Sequence, residues 1–491
     1  MAPYFSQLWI NGSPRPASNG KAFDVFNPAT QTVVTRAASA TVEDIDLAIT
    51  EADKAQPAWE ALSILARRQI LINASNIIVQ EKYVKPITEA VTQETGALPH
   101  WGPDEARVSA FHLLQGAIES ALLQGGSQPS QRVPGGTSII ERRAYGTVFA
   151  ISPFNAPVRL AARAIAVPLI CGNAVVLKSS ELSPRCAELL VEALYEAGLP
   201  KGVLQLIHTA REDSPKLVAH IIGHKLIRHI NFTGSDKVGR IIASEAGKYL
   251  KPCVFELGGK NATIVLNDAD TEDAARNIMF SAMDHAGQIC MSNDRVIVQR
   301  GASKALIDAL TSLGEKIRSG PRPDAQIPPL ITEASAERVL SLINDAKSRG
   351  AEVILGDAAH QGAFMKPHIV LGFEPGWPLW EQESFGPVFG IKIVDTEEEA
   401  VELANMTDYS LMAAVWTRDI EKGLRISRLI RAGHVGLNGP TFGIEPTLSI
   451  HGLGGSTGYG NFDVDHFTQK RFIIITPANN AGKNLPIIRD L

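Results

Sequence analysis

The feature that most constrains this sequence is a regular alternation of short β-branched segments with longer amphipathic ones. Strand-like patterns at 146–151, 173–178, 203–207 and 227–232 are separated by helix-like stretches. Such a β-α-β-α-β succession predicts a parallel sheet wound by helices. Ligands of these sheets bind beyond the carboxyl ends of the strands, which is where Asn155, Lys178 and Gly234 fall. We therefore predict an α/β fold with its binding site at that edge.

Three further parts of the chain lie outside this βα succession. A second α/β block begins near residue 253 and extends to about 438. Residues 125–143 are polar and then alternating, which predicts a protruding hairpin, and 467–476 reads as a strand without a partner nearby in sequence. Strands of this kind tend to pair with another subunit or another domain.

Composition excludes several classes of protein. The chain of 491 residues is 45% hydrophobic and 20% charged, as in soluble globular proteins. Its net charge of −5 and lack of a polybasic run predict no nucleic-acid or membrane partner. The longest apolar stretch, 164–177, is shorter than the roughly 20 residues that span a bilayer. The first residues do not form a signal peptide, and we expect a cytoplasmic protein.

The four cysteines, at 171, 186, 253 and 290, show neither disulfide nor metal-ligand spacing. We expect Cys171 and Cys186 to be buried hydrophobic side chains. Cys290 lies in the segment GQICMS, where a glycine begins a turn. A nucleophilic thiol needs backbone amides that stabilise an oxyanion, and it needs controlled access. Taken alone, the segment is explained more often by an inert core cysteine.

Two other segments supply groups that such a thiol would use. Glu256 precedes two glycines, and a carboxylate presented at a sharp turn can act as a general base. The alternative is a solvated glutamate on a surface turn. Asn155 lies between Pro153 and Pro157, so its amide can meet an oxyanion with little reorganisation. The alternative is a structural Asx turn.

A dinucleotide site is indicated at the same sheet edge. The segment GSDKVG, from Gly234 to Gly239, follows a strand and precedes a helix whose N-terminus can bind a phosphate. Lys178 and Glu181 stand where a ribose could bind, and a carboxylate there would repel a 2′-phosphate and favour NAD over NADP. The alternative for this pair is a solvated strand end.

Together these segments closely resemble the aldehyde dehydrogenase superfamily, in order along nearly the whole chain. The resemblance is carried by nine segments: WING 9–12, FNPAT 26–30, PFN 153–155, KSSE 178–181, FTGS 232–235, ELGG 256–259, GQIC 287–290, ESFGP 383–387 and NGPT 438–441. It implies a Rossmann-like NAD(P)-binding domain at 1–124 and 144–252 and a second α/β catalytic domain at 253–445. It also implies a small β oligomerisation element at 125–143 and 463–480, and a homodimer or homotetramer.

The resemblance assigns roles to individual residues. Cys290 corresponds to the nucleophile that forms a thiohemiacetal and then a thioester, Asn155 and the Cys290 N–H to the oxyanion donors, and Glu256 to the base that activates water. The cofactor is NAD or alternatively NADP. The implied cofactor-binding positions are Ile151, Ser152, Pro153, Phe154, Lys178, Ser180, Glu181, Gly234, Ser235, Val238, Leu257, Glu383 and Phe385.

The substrate is predicted from a narrower resemblance. The segments FNAP, GQICMS and NGPT are similar to those of salicylaldehyde and vanillin dehydrogenases, which oxidise aromatic aldehydes. The implied pocket residues are Phe154, Arg163, Ile289, Met291 and Phe442, and a mostly apolar pocket suits a flat ring. For each of these side chains the alternative is ordinary core packing.

The chain departs from the family pattern at three places. Phe154 replaces a frequent tryptophan, and Ser179 replaces the usual proline of the Lys178 motif. In the segment 450–458, Leu453 replaces a glycine and Gly455 replaces a lysine. None of these changes affects Cys290, Glu256 or Asn155.

Other functions stay open at this point. The chain could be an aliphatic or semialdehyde dehydrogenase of the same superfamily. A thiol hydrolase or acyltransferase would need a base near Cys290, for which His285 is the candidate. A CoA-acylating enzyme is opposed by Glu256, because a water-activating base favours hydrolysis. A binding protein on the same fold would not need Cys290, Glu256 and Asn155 together.

Overall fold

The computed structural model describes residues 2–130, 135–442 and 451–477. Its first part contains five short strands, of which β1, β5 and β4 form a small sheet. Their bounds are β1 Tyr4–Ser6, β2 Leu8–Ile10, β3 Ser13–Arg15, β4 Ala22–Phe26 and β5 Val33–Ala38.

Four helices follow, of which α1 packs against the first large sheet, whereas α2, α3 and α4 pack against one another. They are α1 Val42–Ala61, α2 Ile64–Ile78, α3 Glu81–Thr95 and α4 Trp101–Glu119. Thr41 and Asp44 form a capping box at the start of α1, and the Ser63 hydroxyl accepts from Ala66 N at the start of α2. The cap at Ser63 therefore begins a second helix directly after α1.

The predicted βα alternation is confirmed and builds the first large sheet. Its elements, after the hairpin strands β6 Gly126–Pro129 and β7 Thr137–Ala144, are β8 Thr147–Ile151, α5 Pro157–Ile170, β9 Ala174–Lys178, α6 Pro184–Glu196, β10 Leu204–Ile207, α7 Ser214–Gly223, β11 Ile227–Thr233, α8 Asp236–Lys248 and β12 Cys253–Glu256. The strand order is β12-β11-β8-β9-β10-β2-β3. The strands β9 and β10 add to one side of β8, and β11 and β12 add to the other. Because the strand order changes sides between β8 and β11, a crevice for a ligand opens beyond their carboxyl ends.

The second α/β block forms its own sheet, in the order β15-β18-β19-β14-β13-β20-β21. Its elements are β13 Asn261–Val265, α9 Thr271–Met283, β14 Asn293–Gln299, α10 Arg300–Gly314, α11 Glu333–Ser348, β15 Glu352–Leu355, β16 His360–Gln361, β17 Phe364–Met365, β18 His368–Leu371, α12 Pro378–Glu381, β19 Val388–Val394, α13 Glu397–Asn405, β20 Met412–Trp416, α14 Ile420–Ser427 and β21 His434–Leu437. Strand β12, which follows the predicted boundary at 252/253, hydrogen-bonds to β11 of the first sheet. The predicted boundary at 445 lies outside the described residues.

The last strand, β22 Thr468–Ile475, pairs with the hairpin of the same chain. It runs antiparallel to β7, which is antiparallel to β6, so the three strands form a separate small sheet. The strand that lacks a partner nearby in sequence therefore finds one in the predicted hairpin. Residues 131–134 and 478–480 of these predicted elements lie outside the described residues.

Residues 451–467 return to the first sheet and complete its core. Phe255 N donates to Tyr459 O at 2.8 Å and Leu257 N to Thr457 O at 2.9 Å. Phe462, Val464 and Phe467 join the apolar cluster beneath α4, α5 and α6. This return path fixes β12, the strand that leads to Glu256.

The structure explains one of the two differences from the family pattern in the segment 450–458. Gly455 has φ +68°, and a Cβ there would collide with the Asp408 carbonyl oxygen. A lysine would therefore not fit this backbone. Leu453 is exposed, and Ile450 lies outside the described residues. No helix among the described residues is long and apolar enough to cross a membrane.

Candidate active site

Cys290 is presented by an unusual turn between α9 and β14. His285, Ala286 and Gly287 all have left-handed φ values, of 49°, 56° and 71°. Only the glycine adopts this conformation without steric cost. The Gln288 side chain spans the turn, because its Nε2 donates to His285 O at 3.2 Å and its Oε1 accepts from Ile331 N at 2.8 Å. The loop is thus held in one strained shape.

The thiol of Cys290 lies beside the carboxylate of Glu256. Burial, together with the charge and hydrogen bonding of Glu256, raises the pKa of the Cys290 thiol well above its usual value, and Arg163 opposes this shift. The thiol is therefore protonated at neutral pH in this arrangement. A base in contact with it is what a nucleophile of this kind requires.

Glu256 is the last residue of β12 and is only 2% exposed. Arg163 on α5 donates to its Oε2 at 2.6 Å and to Thr233 Oγ1 at 3.0 Å. The guanidinium also lies 4.8 Å from the ring of Phe462. The alternative of a solvated glutamate on a surface turn is wrong, because this carboxylate is buried and paired.

Glycines bring the Glu256 turn into contact with the nucleophile loop. A Cβ on Gly259 would collide with the Cys290 carbonyl oxygen. Asn261 Nδ2 donates to the same carbonyl at 2.9 Å. The two segments can approach this closely only because residue 259 has no side chain.

Asn155 lies in the loop after β8, and its side chain contacts the loop that carries Cys290. Its side chain is buried and its Nδ2 donates to Gln288 O at 2.9 Å. The amide thus bonds across to the nucleophile loop and not to a nearby backbone group, as an Asx turn would require. Because an amide nitrogen carries two protons, the second one is left to meet an oxyanion.

Most of the predicted cofactor residues lie at the carboxyl ends of β8, β9 and β11. Ile151 and Ser152 are buried, and Ser152 N donates to Lys178 O at 3.2 Å. Burial lowers the pKa of Lys178, whereas Glu181 raises it. Lys178 Nζ donates to Ser179 O at 3.0 Å. Pro153, Ser180 and Glu181 are at least partly shielded from solvent.

The turn after β11 presents the exposed N-terminus of α8. Ser235 caps this helix, with its Oγ accepting from Val238 N at 3.4 Å, and both residues are exposed. A Cβ on Gly234 would overlap the Phe232 ring. Leu257 packs against Gly239 on the same helix, where a Cβ would lie 2.6 Å from its Cδ2. The free backbone amides of α8 are therefore open to an anionic group.

Glu383 and Phe385 approach from the second block. Gly259 N donates to Glu383 Oε1 at 2.9 Å, and burial raises the pKa of Glu383 to about 8. A Cβ on Gly258 would lie 2.6 Å from Glu383 Oε2. Phe385 has φ 45° and packs edge-on against Phe154, with ring centroids 6.1 Å apart.

The predicted pocket side chains do not form one set. Ile289 and Phe442 are 8% exposed and belong to the first apolar core, against which Met291 packs. Phe442 stacks on Phe280 at 4.8 Å. Arg163 is committed to Glu256. The side chain of Phe154, beside Phe385, is the one that faces the cofactor residues.

Comparison with known proteins identifies this arrangement. A profile of the aldehyde dehydrogenase family matches residues 15–473. The chain belongs to the aldehyde dehydrogenase family. It is thus an oxidoreductase that converts an aldehyde in an NAD(P)-dependent reaction, and the family predicted from the motifs is confirmed.

Similar proteins cover almost the entire enzyme. A vanillin dehydrogenase of Pseudomonas fluorescens is 37% identical over 98% of this chain and 99% of its own length. A salicylaldehyde dehydrogenase of Pseudomonas putida is 35% identical over 96% and 98%. The crystal structure of a salicylaldehyde dehydrogenase from Pseudomonas putida G7 with salicylaldehyde superposes with a TM-score of 0.93 at 34% identity, covering 97% of this chain and 99% of the other. Other matches carry names that specify NAD or NADP.

Several residues of this aldehyde dehydrogenase site were not predicted from the sequence. Thr233 and Phe462 hold Arg163, and Gln288 holds both Asn155 and the turn. Lys260 is buried and donates to Asp294 Oδ1 at 2.9 Å and Ser384 Oγ at 2.8 Å, which ties three motifs together. The position of Lys260 directly after Gly-Gly was a usable signal. Nothing in the sequence marked Phe462.

His285 does not lie where it could serve as the base that a thiol hydrolase would need. His285 is buried and stacks on Trp101 with ring centroids 4.8 Å apart. Burial, with help from Arg159 and His100, lowers the pKa of His285 to about 3. The ring is therefore held as an apolar packing partner. The described residues contain no group of three or more His, Cys, Asp or Glu side chains that could hold a metal ion.

Proposed function

We propose that this enzyme oxidises aromatic aldehydes to carboxylic acids with NAD, through a thioester on Cys290. The observation that carries the proposal is the convergence of Cys290, Glu256 and Asn155. Glu256 shifts the pKa of the Cys290 thiol, and Asn155 is hydrogen-bonded to the loop that carries it. These are the nucleophile, base and oxyanion donor that an acyl-transfer site requires.

The first half of the reaction forms a bond between Cys290 Sγ and the aldehyde carbon. Glu256 accepts the thiol proton as the sulfur attacks. The aldehyde oxygen becomes an oxyanion, which accepts hydrogen bonds from Asn155 Nδ2 and from the Cys290 backbone N–H. Because Gln288 O already orients the Asn155 amide, this donor needs little reorganisation.

The residues around the α8 N-terminus fit a dinucleotide. The exposed amides near Gly234 and Ser235 suit a pyrophosphate, Lys178 and Glu181 suit one ribose, and the Glu383 carboxylate suits the hydroxyls of the other. When bound, NAD supplies the acceptor for the hydride that the thiohemiacetal loses as it becomes a thioester. Glu181 favours NAD, since a carboxylate repels a 2′-phosphate.

The second half of the reaction hydrolyses the thioester. Glu256 first releases the thiol proton to solvent and then accepts a proton from a water molecule as the water oxygen attacks the acyl carbon. Cys290 Sγ leaves as a thiolate and takes this proton back from Glu256, which restores both groups. The buried Arg163 donates to Glu256 Oε2 at 2.6 Å and holds the carboxylate in place. Glu256 therefore serves both halves of the cycle.

The aromatic substrate is supported by the names of the relatives and by the side chains near Cys290. Phe154 packs against Phe385, Met291 follows Cys290 directly and packs against the first apolar core, and Phe462 lies against Arg163. Apolar and aromatic side chains near the nucleophile suit a flat ring. We also propose a cytoplasmic homodimer or homotetramer, with the NAD(P)-binding, catalytic and oligomerisation regions predicted from the sequence.

The substrate is tested by a panel of aldehydes. We expect kcat/KM for benzaldehyde-type substrates to exceed that for short and long aliphatic aldehydes by at least about tenfold, a difference of about 1.4 kcal/mol in transition-state binding. Each aldehyde is measured with NAD and with NADP, with Cys290→Ala as the inactive control. A preference for aliphatic aldehydes would contradict the aromatic assignment, and a preference for NADP would contradict the role of Glu181.

The chemistry is tested by Glu256→Gln in stopped-flow experiments. We expect a burst of NADH close to one per active site, followed by a steady state slower by about 100-fold or more, because water then lacks its base. Denatured protein from the burst phase should carry the acyl group on Cys290 by mass spectrometry. A full steady-state rate would remove Glu256 from the hydrolysis step.

A further inference from the structure

Ser179 and His208 meet at the end of two neighbouring strands. Ser179 follows β9 directly, His208 follows β10 directly, and both are almost fully buried. Because β9 and β10 are parallel and adjacent, the two residues leave the sheet at the same edge. Ser179 Oγ lies 2.6 Å from His208 Nδ1, and Ser179 N donates to Ile207 O at 3.2 Å.

The hydrogen-bond partners fix the direction of this contact. His208 Nε2 lies 3.0 Å from the carbonyl oxygen of Gln7. A carbonyl oxygen only accepts, so Nε2 carries the proton. Burial lowers the pKa of His208 to about 3, and the ring is neutral with Nδ1 as an acceptor. The Ser179 hydroxyl therefore donates to His208 Nδ1.

His208 is in turn fixed by two other elements. Ser6 Oγ lies 3.2 Å from its Nε2 and donates to Glu188 Oε2 on α6 at 2.7 Å. Trp9 Nε1 donates to Glu188 Oε1 at 3.2 Å. The imidazole is thus held between the first strands of the chain and α6, and it cannot follow a movement of Ser179.

Ser179 also holds the side chain of Lys178. Lys178 Nζ donates to the Ser179 carbonyl at 3.0 Å. The family usually has proline at position 179, and a proline ring restricts φ by covalent means. Serine leaves φ free, so in this chain another constraint has to replace the ring.

We propose that Ser179 and His208 are positioning residues, which hold Lys178 and Glu181 in the conformation that binds a ribose of NAD. The hydroxyl-to-imidazole bond replaces the restraint that proline provides. The inference rests on the proposed cofactor role of Lys178 and Glu181. It adds two residues that do not themselves touch the dinucleotide.

The first test compares Ser179→Ala with Ser183→Ala. The Ser183 hydroxyl is buried in the same loop and has no hydrogen-bond partner in the described part of the chain. We expect Ser179→Ala to weaken NAD binding about 3- to 10-fold, the usual effect of one hydrogen bond, with kcat at saturating NAD and KM for the aldehyde unchanged. Ser183→Ala should bind NAD like the wild type. Equal Kd values for NAD in all three proteins would overturn the proposal.

The second test separates positioning from packing. His208→Asn places a carbonyl near the position of Nδ1, where it can accept from Ser179, whereas His208→Gln places its amide near Nε2. Both variants lose the ring, and their Tm values report that common loss. We expect the Asn variant to bind NAD within about twofold of the wild type, because the hydrogen bond to Ser179 is kept. The Gln variant should have an NAD affinity like that of Ser179→Ala, because both lack this one hydrogen bond. Equal affinities of the two variants would overturn the proposal. A wild-type enzyme that binds no NAD would overturn the cofactor assignment itself.

Discussion

At the scale of single residues, Arg163 places a buried positive charge beside the catalytic groups. Its guanidinium is buried between Glu256, Thr233 and the ring of Phe462. Its charge lowers the pKa of the Cys290 thiol, against the opposing effects of burial and Glu256. Arg163 is therefore the electrostatic partner of both catalytic groups, and a role in substrate binding would have to be shared with this one.

Loss of this charge should be visible in the pH dependence of the reaction. The thiolate is the reactive form, and a positive charge favours it, so Arg163→Gln should raise the pKa of Cys290 further. We expect the rising limb of kcat/KM to move to higher pH and the value at pH 7 to fall by about tenfold, which corresponds to about 1.4 kcal/mol.

A matched variant separates this effect from lost stability. Arg159→Gln removes an ion pair to Glu105 one turn earlier on the same helix, and breaking either buried pair should lower the free energy of unfolding by about 3–5 kcal/mol. Only Arg163→Gln should shift the pH profile. An unchanged profile would show that the guanidinium is structural.

At the scale of elements, the turn before Cys290 stores strain. His285 and Ala286 adopt left-handed backbone conformations that cost about 1–2 kcal/mol each in non-glycine residues. Trp101 stacks on His285, and Gln288 bonds to its carbonyl. The surrounding contacts thus hold an unfavourable shape because it orients the thiol.

Gly287→Ala should disturb this turn directly. The residue has φ 71°, and its Cβ would collide with Gly386 O and lie 3.0 Å from Ala282 O. We expect a loss of at least about 1–2 kcal/mol in unfolding free energy and an acylation rate reduced by an order of magnitude or more.

The control is Gly247→Ala, in the exposed part of α8, where a Cβ would meet nothing within 4 Å. That change should stabilise the enzyme by about 0.5–1 kcal/mol. Thermal unfolding and single-turnover rates report both variants. A Gly287→Ala enzyme with wild-type acylation would show that the turn geometry is unimportant for the thiol.

At the scale of the whole molecule, the small sheet of β6, β7 and β22 exposes apolar side chains on both faces. Phe472 and Ile474 point to one face and Ile473 and Ile475 to the other, because side chains alternate along a strand. Phe472 and Ile474 are 59% and 62% exposed. An edge strand of this composition favours association with another copy of the chain.

The oligomer predicted from this surface can be broken deliberately. We expect the wild type to be a dimer or tetramer at micromolar concentration, and Ile474→Lys to shift it to a smaller species in light scattering. The buried charge would cost several kcal/mol at an apolar interface. Gln469→Lys, on the exposed polar part of the same strand, is the control. A monomeric wild type would contradict the prediction.

Features of the fold and the site that depend on neighbouring residues could be predicted from the sequence. The βα alternation and the turns that carry Asn155, Glu256 and Cys290 follow from short patterns with a fixed physical meaning. Contacts between distant segments, such as Arg163 with Glu256 or Gln288 with Asn155, could not be predicted from the sequence. Such contacts depend on sheet order and on the approach of two folded blocks, which local patterning does not encode.

The sheet to which strand β12 belongs could not be predicted from the sequence either. Cys253–Glu256 stands at the start of the second block in sequence but pairs with β11. Its neighbour on the other side is the returning segment at Thr457 and Tyr459, about 200 residues later in the chain. No pattern within β12 itself distinguishes the two sheets.

The pairing of β7 with β22 has a consequence for how the chain is made. Arg471 and Glu141, which face each other across this pair, are 330 residues apart. At a translation rate of about 5–20 residues per second, strand β22 is synthesised tens of seconds after the hairpin with which it pairs. Phe462 and Phe467, which close the first core, emerge in the same late interval. The nascent protein is therefore most open to aggregation during synthesis, and chaperone supply at that stage should govern its yield.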